Sequence, residues 1–260
     1  MKADIEKLVS LMARLRSPGG CPWDREQTLA SLVPFIIEEA YEVIAAIDEG
    51  PDEALKDELG DLLFQIIFAC RIAEETGRFA MVDVIDHSYD KMVRRHPHVF
   101  GEAKAETSED VLRHWAEIKK TEKRGKPSGG ALAGVPESMP ALLRAHKVSQ
   151  KASKVGFDWK DISHVLEKLD EEVLEFHAAV SAQDAANVEE ELGDILFTLV
   201  NVSRFMQVNP EDALRKTIGK FITRFHHVEA SIIGQGRDIA DASMDEMERL
   251  WQDAKKESKA

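Results

Sequence analysis

Ten carboxylates in two matching groups dominate the chemistry open to this chain. In the C-terminal half, Glu171, Glu172 and Glu175 form E-E-x-x-E, and Glu191 and Asp194 follow in ELGD. In the N-terminal half, Glu38, Glu39 and Glu42 form the same pattern, and Glu58 and Asp61 follow in a second ELGD. Fifteen residues separate the third Glu from the fourth in both halves. At about 3.6 residues per turn, the first three acids of each group share a helical arc of about 100°. The last two stack on one side of the next helix. Like charges so close repel and weaken an isolated helix. Their neighbours are apolar: Val173, Leu174 and Phe176, then Ile195, Leu196 and Phe197. Carboxylates at the edge of a core need a cation. Oxygen donors without Cys and with few His suit a hard ion, Mg2+ or Mn2+. A solvated acidic face is the competing account in a chain with 48 acidic residues. Identical spacing in two copies argues against it.

A metal held this way can bridge polyphosphate oxygens and acidify a bound water, and a carboxylate not engaged with metal can serve as general base. Which Glu takes that role is open. The substrate's phosphates would need cations and its base a flat surface. Lys220 and Arg224, at i and i+4, put two cations on one helix face, and Lys168 precedes Glu171 by three residues. Trp251 offers a stacking surface, with Lys255 one turn beyond. Each has a plainer account: Lys168 as a partner of acids on its own helix, Lys220 and Arg224 as a solvated face, Trp251 as core. In the N-terminal half Lys91, Arg95, Trp115 and Lys119 match Lys220, Arg224, Trp251 and Lys255, but Phe35 stands where the other half has Lys168. Pro34 constrains the start of that helix. His96, His98, His226 and His227 could be metal ligands, but structural or phosphate-adjacent roles suit them better, since the carboxylates already supply the ligands Mg2+ prefers.

The pattern E-E-x-x-E, fifteen residues, E-x-x-D, with the words CPWDREQT, ELGDLLFQ, RRHPHVFG and GFDW, resembles the MazG family of nucleoside triphosphate pyrophosphohydrolases in its tandem-domain form. The resemblance spans nearly the whole chain. It implies hydrolysis of NTPs and dNTPs between the α and β phosphates, giving nucleoside monophosphate and pyrophosphate, as nucleotide-pool house-cleaning. It implies catalytic roles for Glu171, Glu172, Glu175, Glu191 and Asp194, with the metal on the last four. Nucleotide contacts are implied at Lys168, Glu190, Lys220, Arg224, Trp251 and Lys255. The second copy's metal set is Glu38, Glu39, Glu42, Glu58 and Asp61. Its nucleotide set is Trp23, Lys91, Arg95, Trp115 and Lys119. The resemblance also implies that the C-terminal copy carries most of the activity.

The elements that must position these residues all read as helix: apolar residues recur at helical spacing and Gly and Pro fall between segments. Helices are expected over 4–16, 29–48, 52–75, 81–95 (stopping before Pro97) and from Ser108. In the second half they are expected over 140–154, 161–182 and 184–207, then from Pro210 after the cap Asn209. A last helix is expected from a capping box, Ser243 with Glu246. The two ELGD helices, apolar nearly all round, should be central. Residues 123–140 hold four Gly and three Pro without periodicity, a linker. The expected division is 1–124, a linker at 125–139, and 140–260, each half an all-α bundle of four to five helices. Trp23 and Trp115, like Trp159 and Trp251, are 92 residues apart, so the repeat extends beyond the acids.

Composition bounds the rest. The 260 residues are 43% hydrophobic, enough for real cores, and the net charge of −14 argues against long nucleic acid as a partner. No apolar run approaches the length of a membrane span. Two cysteines, Cys21 and Cys70, suit a reducing cytoplasm. A di-iron carboxylate bundle would need Glu-x-x-His, which the sequence lacks. A helical interaction or regulatory module that binds nucleotide without chemistry is the alternative. The apolar girth of the ELGD helices points to a homodimer.

Overall fold

The computed structural model describes residues 4–123 and 129–257 and divides into two compact units, Met1–Arg124 and Gly125–Ala260. Among the described residues every regular element is helical. The first unit contains α1 (Glu6–Leu15), α2 (Pro22–Glu26), α3 (Leu29–Glu49), α4 (Asp52–Glu75), α5 (Met81–Arg95), α6 (Pro97–Phe100) and α7 (Ser108–Lys123). The second contains α8 (Ala141–Ser153), α9 (Ile162–Ala182), α10 (Ala185–Phe205), α11 (Pro210–Ile233), a 3-10 turn (Ile239–Asp241) and α12 (Met244–Glu257). Residues 124–128 of the expected linker lie outside the described residues.

Three of the four carboxylate-bearing helices begin where side chains can satisfy their first N–H groups, while α4 follows Pro51 without a side-chain cap. Thr28 and Ser31 cap α3 reciprocally, at 3.2 and 2.9 Å. Asp161 caps α9 through the Ser163 N–H at 3.0 Å, and Asp184 caps α10 through that of Asn187 at 3.2 Å. Asn209 caps α11, with Pro210 at its first position, as the sequence predicts. The Ser243 box closes only by half. Its Oγ accepts from the Glu246 N–H at 3.2 Å, while the Glu246 carboxylate pairs with Arg237 at 2.7 Å. Pro34 lies inside α3 rather than at its start. The sequence reading also missed α6, which follows Pro97.

In each unit the two acidic helices form a tight hairpin, α3 on α4 and α9 on α10. Gly50 turns the first with an ordinary negative φ; a Cβ there would sit 2.8 Å from the Ala46 carbonyl, so only Gly allows the approach. At the second turn Gln183 takes a left-handed φ of 56°. The core of the first unit gathers Met12, Leu32, Ile67, Phe68 and Ile72, with Phe35 packed against it. The ELGD helices are less enclosed than their sequence suggests. In α4 the buried residues start only at Ile67, and Leu59 and Ile66 stay exposed. In α10, Leu192, Leu196 and Leu199 are also exposed.

The second unit replaces part of the apolar core with a polar one. Asn201 is fully buried and Ser149 nearly so, and the Ser149 hydroxyl donates to Asn201 Oδ1. Arg204 donates Nε to Ser149 Oγ at 2.9 Å and Nη1 to Asp158 Oδ2 at 2.9 Å, while its Nη2 also pairs with Asp158. This ties α8, the loop before α9 and α10 together. Hydrogen bonds from Arg204 hold the Asp158 carboxyl below its usual range. A lowered folded pKa contributes stability present above the unfolded value, about 4, and lost as pH falls through the folded one. Asp158→Asn is therefore expected to cost about 1–3 kcal/mol at pH 7. The difference should shrink in denaturation curves as pH falls below about 4.

Candidate active site

The hairpins bring the carboxylates together as the spacing predicts, but not all of them. In the second unit Glu172 and Glu175 of α9 and Glu191 of α10 each offer an oxygen within 4.8 Å of the others'. In the first unit the trio is Glu39 of α3 with Glu58 and Asp61 of α4. Oxygens sharing one hard cation lie up to about 4–5 Å apart, twice the metal–oxygen bond. The donor sets are wholly carboxylate, which fits such an ion. Asp194 stands outside the trio but adds its charge to Glu191, as Glu42 and Glu38 do to Glu39. Glu171 is more than half exposed and pairs instead with Lys168.

Crowding marks the electrostatics. Burial, then the charges of Glu175, Glu172, Asp194 and Glu190, push the Glu191 carboxyl above its ordinary range. Burial and the charges of Asp61, Glu42 and Glu38 do the same to Glu39. Glu172 is 5% exposed. Lys168 Nζ lies 2.8 Å from both Glu171 and Glu172, and these hydrogen bonds raise its pKa. Its counterpart Phe35 packs into the core and meets Trp23 edge-on at 5.8 Å. Gln65, one turn beyond Asp61, donates to Glu39 at 3.4 Å, and its Oε1 is buried without a partner. Thr198 takes that position in the second unit. The sequence reading missed Gln65 as a site residue, although its place four residues after Asp61 put it on the carboxylate-bearing side of the helix.

The cations and aromatics assemble on the other helices. In the second unit the Arg224 guanidinium sits 5.9 Å from the Trp251 ring centroid, and Phe221 packs on Trp251 at 5.0 Å. Beside them is a cavity of about 230 Å³ lined by Phe221, Phe225, Met244, Met247 and Trp251, among others. Neither methionine was singled out from sequence; their spacing from Trp251, seven and four residues, was the available signal. Lys220 is exposed on α11 and Lys255 half-buried on α12; Glu190 is exposed beside the carboxylate trio's Glu191. In the first unit Lys119 lies 5.6 Å from the Trp115 ring and His96 packs edge-on against it at 5.0 Å. Lys91 is half-buried on α5, and Arg95 is engaged by Glu122. Among the described residues no histidine joins a metal-capable cluster.

Paired antiparallel helices that converge three carboxylates, present twice in one chain, define an all-α protein with two acidic clusters that could hold a metal ion. The sequence profile of the MazG nucleotide pyrophosphohydrolase domain matches residues 27–100 and again 160–229. The chain is 45% identical, over 96% of its length and 95% of theirs, to the Thermotoga maritima protein named nucleoside triphosphate pyrophosphohydrolase/pyrophosphatase MazG. It is 42% identical to the Escherichia coli nucleoside triphosphate pyrophosphohydrolase, over 97% of both chains. A Bacillus subtilis protein, YabN, matches 95% of this chain at 46% identity within half of its own length. The chain belongs to the MazG nucleotide pyrophosphohydrolase family, with two copies of the domain.

Proposed function

We infer that the chain is a metal-dependent nucleoside triphosphate pyrophosphohydrolase that releases nucleoside monophosphate and pyrophosphate. The carrying observation is the convergence of Glu172, Glu175 and Glu191 from two helices of a MazG domain. Mg2+, or Mn2+ in its place, would be held by these three with Asp194. When bound it neutralises phosphate charge and acidifies water. The chain's own residues do the rest. Lys168 already bridges Glu171 and Glu172, so its ammonium stands at the edge of the cluster where a phosphate oxygen would arrive. Lys220 and Arg224 supply further cations, and Trp251 with Lys255 receives the nucleoside. Glu171 and Glu190 border the same site. The N-terminal copy would take its metal on Glu38, Glu39, Glu42, Glu58 and Asp61. Its nucleotide would meet Trp23, Lys91, Arg95, Trp115 and Lys119. The C-terminal domain is the main catalytic copy in this reading, and nucleotide-pool house-cleaning in the cytoplasm is its setting. Chromatography of products from Mg2+ and an NTP decides the reaction. Monophosphate and pyrophosphate support it; diphosphate and orthophosphate overturn it.

We also infer a homodimer. On α3 the exposed Val33, Ile37, Tyr41, Ile44 and Ile47 recur at helical spacing, and Leu59 and Ile66 of α4 extend the apolar patch. On the matching hairpin Leu166, Leu174, Leu192, Leu196 and Leu199 are exposed too. Apolar stripes of this length on a hairpin in water call for a second copy. Light scattering is expected to give twice the chain mass at micromolar concentration, and Ile37→Glu with Ile44→Glu to give a monomer. A stable wild-type monomer overturns this.

A further inference from the structure

The two copies hold their corresponding arginines differently. Counted from the shared Lys, Arg95 matches Arg224; counted from the shared Trp, Glu122 matches Ser258, which lies outside the described residues. In the first unit one carboxylate takes both arginines of α5. Glu122 on α7 accepts from Arg95 Nη2 at 2.6 Å and from Arg94 Nη2 at 2.7 Å, with Nε contacts at 3.4 and 2.9 Å. The Arg95 and Glu122 side chains are only 21% and 22% exposed. These hydrogen bonds bring Glu122 down to about 2, so it stays charged at any physiological pH. Arg224 makes no ion pair among the described residues. It rests against Trp251 and its Nε is buried without a partner.

We propose that Glu122 is a specificity-determining residue that fills the Arg95 fork and so shuts the triphosphate tail out of the N-terminal copy. This rests on the reading of Arg95 as a phosphate cation. A guanidinium grips carboxylate and phosphate with the same kind of planar donor pair, so the Nε–Nη2 edge of Arg95 that holds Glu122 is closed to phosphate, and the carboxylate offsets the charge behind the edge that remains. A carboxylate tethered on the packed helix α7 competes at high effective concentration. An incoming polyphosphate that displaced it would leave a fixed negative charge beside its own oxygens. Phe35 has already removed the cation that Lys168 supplies in the other copy. The N-terminal site thus keeps Lys91, Lys119 and Trp115 but has no arginine to spare.

The test uses the full chain with the C-terminal copy disabled by Glu172→Gln, Glu175→Gln and Arg224→Ala. Mg2+ with α,β-methylene-ATP is titrated into it by calorimetry. Adding Glu122→Gln, or Glu122→Ser as in the other copy, is expected to tighten binding tenfold or more, about 1.4 kcal/mol. Arg95→Ala placed on top should erase the gain. Circular dichroism checks that helix content is kept in each variant. If Glu122→Gln changes nothing while Arg95→Ala weakens binding, Glu122 does not block and the proposal falls, though Arg95 still meets phosphate. If neither substitution moves the affinity, both readings fall. A gain that survives Arg95→Ala would mean simple repulsion and would overturn occupation of the fork.

Discussion

Replacing Glu172 and Glu175 together by Gln is expected to lower NTP hydrolysis by about a thousandfold or more, whereas Glu39→Gln with Glu42→Gln should leave most of it. Losing metal-borne charge stabilisation of several kcal/mol corresponds to that loss in rate. Both copies converge three carboxylates, so metal binding alone does not rank them. What surrounds the clusters does. The C-terminal copy has Lys168 in contact with Glu172, and its Arg224 rests on Trp251 with no ion pair among the described residues. The N-terminal cluster has Phe35 buried against Trp23 and an Arg95 taken by Glu122. Gln keeps the size of Glu and removes its charge, so the helices should remain packed. The assay is pyrophosphate release from several NTPs, with circular dichroism as control. If the N-terminal pair abolishes turnover and the C-terminal pair spares it, the ranking is reversed.

The carboxylate trios were legible because helix periodicity is local. Glu172 and Glu175 lie one turn apart, and a short turn to the next helix brings Glu191 opposite. The cap at Asn209 involves N–H groups within three residues, so it too was legible; those at Thr28 and Asp161 are equally local but were not read. What escaped depends on partners far along the chain. Glu122 is 27 residues from Arg95, and nothing in either segment announces the pairing. The Ser149, Asn201, Arg204 and Asp158 network joins three segments. From sequence Asn201 was one polar residue in an apolar run, and only packing against α8 makes it a core residue. The enclosure of the ELGD helices was overestimated for a related reason. Their apolar residues cover more of the circumference than the neighbours in one unit, so periodicity showed the surplus but not what covers it.

Metal removal is the second large effect. EDTA is expected to abolish hydrolysis, and Mg2+ without nucleotide should stabilise the protein. At a hundred times its dissociation constant a ligand adds about 2.7 kcal/mol, which for units of this size raises the melting temperature by about 5–15 °C. The raised carboxyls explain why the metal-free protein has room to gain. Glu39 and Glu191 titrate above their ordinary range through burial and the acids around them. A carboxyl whose folded pKa is raised favours the fold below its unfolded pKa, and that contribution is lost as pH rises through the folded value. At neutral pH both groups therefore weaken the metal-free fold, and lowering the pH toward the ordinary Glu value of about 4.3 should relieve it. Glu191→Gln separates the two roles of the charge. It removes a repelling carboxylate, so the metal-free variant should melt above the metal-free wild type. It also removes a ligand, so its Mg2+-induced rise should shrink, while Glu58→Gln should curtail the rise from the N-terminal unit. The readout is a melting curve with and without Mg2+, which needs no turnover. An unchanged Mg2+ shift in Glu191→Gln would place the cation elsewhere, and a lower metal-free melting temperature would show that Glu191 supports the fold rather than straining it.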